Sequence, residues 1–159
     1  MIKNIMVSIS GSAESLSAAK YAICLAKLFQ AKLLVVYVIN VKALGELLKS
    51  RIFVEAEARS YERDLNEQGR MFLERIRKMA ESKGVVCDTL LLSGAISDEV
   101  IGKANQQQID LLVVGEVKEL SSRADVFYDE GERIIRKSPC PVVMAKNPAM
   151  IDALYKEII

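Results

Sequence analysis

Four serines, Ser8, Ser10, Ser12 and Ser15, surround a Ser-Gly-Ser turn near the start of the chain. A serine hydroxyl attacks a substrate only when a neighbouring base takes its proton, and that base is most often histidine. The chain contains no histidine. Its absence removes Ser-His-Asp and Cys-His chemistry, and every histidine-containing metal site. Turn and helix-capping roles therefore account for the serines. Cys24, Cys87 and Cys140 are odd in number, widely spaced and form no CxxC pair. They fit reduced thiols that fill space, Cys140 lying between two prolines at a strand entry. Residues Glu116 to Glu130 hold five acidic side chains against two basic, a net charge of −3. Asp125, Asp129 and Glu130 could approach a divalent cation, but solvated carboxylates are the simpler reading. Asp110, directly before an apolar run, reads as the end of a turn rather than a metal ligand. Neither a catalytic residue nor a metal is expected.

The totals are those of one globular domain. There are 159 residues, 51% hydrophobic and 27% charged, with a formal net charge of +1. A balanced charge implies neither a nucleic-acid partner nor an acidic substrate. The apolar runs, such as Leu33 to Ile39, are too short to span a bilayer. The opening residues lead straight into a strand-like run without a signal-peptide pattern. A cytoplasmic protein without a membrane segment is the expectation.

Strands and helices alternate along the chain. Ile5 to Ile9 is a short β-rich run that stops at Ser10-Gly11-Ser12. Ser12 or Ser15 can cap the following helix, in which Leu16, Ala19, Ile23 and Ala26 recur at helical spacing to about Phe29. Leu33 to Ile39 is continuous apolar sequence, suited to a strand covered on both faces. Between Asn40 and Arg59 the pattern is weak, with Leu44, Leu47 and Leu48 suggesting a turn or two of helix. Tyr61, Leu65, Gln68, Phe72, Ile76 and Met79 predict the inner stripe of a long helix, Glu57 to Ser82, ending at Lys83-Gly84. Its charged face is read as solvated. Val85 to Leu92 predicts a third strand. Ser97 or Asp98 would cap a helix through Gln107, with Val100, Ile101 and Ala104 inward. Leu111 to Val114 predicts a fourth strand, Asp129 to Lys137 a helix, and Val142 to Ala145 a fifth strand. Alternation of this kind predicts βαβ units around a parallel sheet. Residues 148–159 form a helical tail beyond a domain at 1–147. Met150, Ile151, Leu154, Tyr155, Ile158 and Ile159 give that tail an apolar face, to be covered by its own domain or by a partner.

Four stretches together resemble the universal stress protein family: IMVSISGS, AAKYAICLAKLFQAKLLVVYVI, SGAISDEVIGKANQQQIDLLVVG and ERIIRKSPCPVVMAK. The resemblance covers Ile2 to Lys146. It implies an α/β fold, an open five-stranded parallel sheet of Rossmann-like, adenine nucleotide alpha hydrolase-like type, with helices on both faces and strand order 3-2-1-4-5. In that order the first and fourth strands are neighbours whose chains diverge, so a ligand crevice is expected between Ser10–Ser12 and Gly115. Many family members hold a nucleotide there. They carry Asp before the first Gly-Ser, and Gly-x-x-Gly, nine residues, then Gly-Ser or Gly-Thr after the fourth strand. Glycines of that kind let backbone amides close around phosphate oxygens. Here Ser10 stands in place of the Asp, Gly115 matches the first glycine, and Lys118 replaces the second. Tyr128 and Asp129 fall where Gly-Ser belongs, and Gly131 is out of register by three. Asp129 and Glu130 would supply the negative charge that a phosphate otherwise supplies at the helix start. Val38, Val114 and Gly115 still match the family's adenine and ribose walls, and would be the cofactor-binding residues of any residual nucleotide site.

The expected function is that of a non-catalytic stress-response or regulatory protein acting through contacts with an unknown protein partner, without ATP and without a cofactor. The alternative is an adenine-nucleotide-binding switch, holding ATP or AMP with weak or no hydrolysis. An enzyme on another doubly wound fold, such as a flavoprotein or an adenylating enzyme, would need the phosphate loop and base that are missing. The resemblance further implies a homodimer through the last strand, and the tail's apolar face is a candidate extension of that interface.

Overall fold

The computed structural model describes the chain apart from residues 52–53 and 118–125 and the side chains of 42–44, 47 and 126–129. Among the described residues five strands form one parallel sheet: β1 (Asn4–Ile9), β2 (Lys32–Asn40), β3 (Cys87–Gly94), β4 (Leu111–Val114) and β5 (Val142–Met144). Their order is β3-β2-β1-β4-β5, as the family resemblance implies. The central strand β1 pairs on one side with β2, Ile5 opposite Leu33, and on the other with β4, Ile5 opposite Leu111.

Alternation along these strands divides the core into two layers. Ile5, Val7, Leu33, Val35, Leu111 and Val113 share one layer with Ala19, Ala22 and Ile23 of α1 (Ala13–Phe29) and Leu73, Ile76 and Ala80 of α3 (Glu55–Ser82). Met6, Val36, Val38, Leu112 and Val114 face the other way, against Val100 and Ala104 of α4 (Ile96–Gln106) and Ile134 of α5 (Val126–Lys137). Both faces of the sheet are covered, which is why its inner strands read as unbroken apolar runs.

Several local expectations shift. The helix α2 (Val41–Lys49) occupies the region of weak pattern. The inner stripe of α3 is rotated by about one residue from the predicted one: Ala58, Gly69, Leu73, Ile76 and Ala80 are buried, whereas Tyr61 and Gln68 are exposed. Gly69 is the reason. A Cβ at that position would lie 2.8 Å from Leu91 Cδ1 and 3.1 Å from Tyr37 Cδ1, so the helix touches the sheet where it has no side chain. The third strand begins two residues later than predicted. Val85 instead closes α3, its amide donating to the Ala80 carbonyl at 3.0 Å.

The tail forms α6 (Pro148–Glu157) and packs on its own domain. Asn147 caps it, its side-chain oxygen accepting from Met150 N at 3.2 Å. Ile151 is buried within the α1–α3 layer, and Tyr155 and Ile158 pack beside it. Lys83 stands 4.6 Å from the Tyr155 ring centre and donates to the Ile158 carbonyl at 2.8 Å. Lys20 pairs with Asp152 at 2.8 Å. Of the tail's predicted apolar face, Ile151, Tyr155 and Ile158 pack on this domain, whereas Met150 and Ile159 are exposed.

Candidate functional site

At the carboxyl ends of β1 and β4 the chain departs in opposite directions, and a crevice of about 530 Å³ opens there. Ser10, Gly11 and Ser12 form one wall, Val114 to Val117 another, Val38 of β2 the floor, and Ile96 of α4 with Ile134 of α5 an apolar side. Val38, Val114 and Gly115, the residues expected at a nucleotide site, therefore all lie on one cavity.

The first wall is built by the serines. Ser12 Oγ accepts from Ser15 N at 3.1 Å and caps α1, while Ser15 Oγ donates to the Ser12 carbonyl at 2.9 Å. Ser10 Oγ lies 3.3 Å from Ser12 Oγ. Gly11 turns the chain at φ +82°, a conformation that side chains other than glycine rarely adopt. Tyr37 Oη donates to the Ser10 carbonyl at 3.4 Å, and burial pushes that phenol up from its ordinary pKa, so it stays a neutral donor. Ser12 caps the helix and Ser10 and Ser12 flank the turn, while Ser8 lies within β1 and lines the crevice.

Gly115 is required by closeness rather than by φ. A Cβ there would stand 3.1 Å from the Glu14 carbonyl oxygen, so β4 ends pressed against the first turn of α1. Gly131 plays a similar part: a Cβ would lie 2.7 Å from Val117 Cγ2.

Among the described residues the charged side chains that line the crevice are of one sign. Glu14, Glu116 and Glu130 line it, and no lysine or arginine does so among the described residues. Glu130 has a specific partner. Its Oε2 accepts from Ser97 N at 2.6 Å, its Oε1 lies 3.4 Å from Arg133 Nη1, and its side chain is 12% exposed. Two expectations are corrected here. The helix α4 begins at Ile96 with Ala95 at its cap position, so neither Ser97 nor Asp98 caps it. Glu130 lies a full turn inside α5, which begins at Val126 rather than Asp129, and its charge serves the α4 start instead of its own helix. The Ile96, Val100, Ala104 spacing could have signalled this, because it puts the first turn of α4 behind a residue with no capping oxygen.

Other candidates fall elsewhere. Asp110 Oδ2 accepts from Lys3 N and Asn4 N, both at 2.8 Å, tying the start of β4 to the start of β1. Those two amides hold its carboxyl below the usual range. Burial raises the thiol pKa of Cys24, and burial with the nearby Asp88 pushes Cys87 up to about 12. Lys118 and Asp125 lie outside the described residues, as do the side chains of Tyr128 and Asp129. Among the described residues no group of three or more His, Cys, Asp or Glu side chains is placed to hold a metal ion, and no helix is long and apolar enough to cross a membrane.

Comparison with known proteins agrees with this architecture. A universal stress protein of Methanocaldococcus jannaschii is 32% identical over 148 residues, covering 93% of this chain and 84% of the relative. A universal stress protein solved in complex with cAMP superposes with a TM-score of 0.62 at 23% identity, covering 90% of this chain and 95% of that one. A universal stress protein family protein from Arabidopsis thaliana, solved with AMP bound, gives 0.63 at 17% identity, covering 92% and 98%. The family model described as "Universal stress protein family" matches residues 1–146, which takes in the whole sheet and the crevice, and the chain belongs to that family.

Proposed function

We propose that this universal stress protein is a non-catalytic, regulatory member of its family that acts in the cytoplasm through protein contacts, and that its crevice does not take ATP. The observation that carries the reading is the lining: carboxylates of Glu14, Glu116 and Glu130 and no described cation, where a polyphosphate needs donors and positive charge. With no histidine in the chain, the commonest general base for hydrolysis is also missing.

A thermal melt with ATP and Mg²⁺ tests it. A ligand at about 100 times its Kd stabilises a protein by about 2.7 kcal/mol. No displacement of the melt is expected at millimolar ATP. A low-micromolar Kd by calorimetry would sink the proposal.

A second reading has a specific observation in its favour. Val38, Val114 and Gly115 wall a crevice at the same switch point of the sheet, and its volume is within the range of small-molecule sites. The relatives solved with AMP and with cAMP carry ligands of lower charge than ATP. An adenine-nucleotide switch without hydrolysis is the alternative, and the same titration with AMP distinguishes it.

A further inference from the structure

We infer that Glu130 is a built-in anion that sets the charge selectivity of the crevice, its carboxylate lining the cavity while anchored to the Ser97 amide at the start of α4. The inference rests on the reading that this crevice does not take ATP, and names the residue responsible.

The argument begins at the start of α4. A helix leaves its first amides without intrahelical partners, and a capping side chain normally satisfies one of them. Ala95 has no oxygen to offer. The Ser97 amide, in a residue only 4% exposed, is instead satisfied by a carboxylate from another helix, 33 positions away, at 2.6 Å. That carboxylate cannot swing away freely. Its second oxygen is directed to Arg133, and Gly131 next to it lets Val117 press against α5. Ile96 and Ile134, which flank the contact, both line the crevice. The positive end of α4 is thus already neutralised from inside the protein. An approaching anion meets a carboxylate that is largely shielded from water and whose described counter-charge, Arg133 at 3.4 Å, is itself more than half exposed, so the repulsion is screened less than in water. A neutral ligand of similar shape meets no such barrier.

Full-length wild type, Glu130→Gln and Glu130→Ala are titrated with adenosine and with AMP, and the exchange rate of the Ser97 amide is followed in each. Adenosine is the neutral probe and AMP the anionic one. The expected result is unchanged affinity for adenosine in all three proteins. AMP should bind Glu130→Ala tighter than wild type by about tenfold or more, equivalent to about 1.4 kcal/mol. Glu130→Gln, which keeps an oxygen for Ser97 N but loses the charge, should show a smaller gain and near-native Ser97 exchange. If Glu130→Ala does not fold, the isosteric variant carries the test alone. No gain in AMP affinity in any folded variant, including no binding at all, overturns the inference. Tight ATP binding by wild type would instead defeat the proposed function, whatever the variants do.

Discussion

Asp110 holds the amides of Lys3 and Asn4, where the first strand begins, with one carboxylate oxygen, and this makes it a residue with a pH signature. Its folded pKa is lowered, so it contributes stability above its unfolded pKa, and that contribution is lost as pH falls through the folded value. Asp110→Asn should lower the melting temperature at about pH 7, and the deficit should shrink as pH falls through the folded pKa of Asp110 towards about pH 2. Parallel melting curves of the two proteins across that range check it, and an equal deficit at both ends would count against the carboxylate role. At this scale the sequence was partly legible. A strand ending in glycine marked Val114 and Gly115, because open sheets place crevices there, and Asp110 was recognisable as a structural residue by its position before a strand. Glu130 was not recognisable in its role, because its partner is an amide distant in the chain and its place beside Asp129 pointed to the start of its own helix.

Among the elements, α6 offers the clearest test. Its own Ile151 is 1% exposed, so Ile151→Ala should cost about 2–5 kcal/mol in urea unfolding, as buried aliphatic truncations do. Removing Pro148–Ile159 should be at least as damaging, since it also takes away Asp152, the partner of Lys20, and the Ile158 carbonyl held by Lys83. A truncated protein with native stability would show that the helix merely rests on the surface. The buried strands β1, β2 and β4 were legible because both their faces are apolar and turn residues bound them. The stripe of α3 was misplaced because helical patterning counts large apolar residues, whereas the closest approach to the sheet is made by Gly69. The start of β3 was misplaced because Val85 and Val86 prolong the apolar run. One of them caps a helix end in the core and the other is 63% exposed.

At the scale of the whole molecule, β5 is an edge strand of the sheet. Leu112 N donates to the Pro141 carbonyl at 3.0 Å and Ala145 N to the Val114 carbonyl at 2.9 Å, so alternate residues of this strand bond to β4. Val142 and Met144 consequently direct their backbone groups away from the sheet. An edge of that kind invites a second strand, and pairing with a second copy is the arrangement we propose. Met144→Pro deletes an outward amide without touching the bonds to β4 and should convert a dimer to monomer in sedimentation velocity. An unaltered sedimentation coefficient would argue for another interface.

The position of β1 at the middle of the sheet carries a further consequence for synthesis on the ribosome. Its neighbour on one side emerges about thirty residues later, but its neighbour on the other side, Leu111 to Val114, emerges only after more than two thirds of the chain. Until then a nascent three-stranded sheet carries Ile5, Met6 and Val7 along an open border. The interval before β4 arrives is the period in which this protein is most exposed to association with other unfinished chains, and in which a chaperone would matter most.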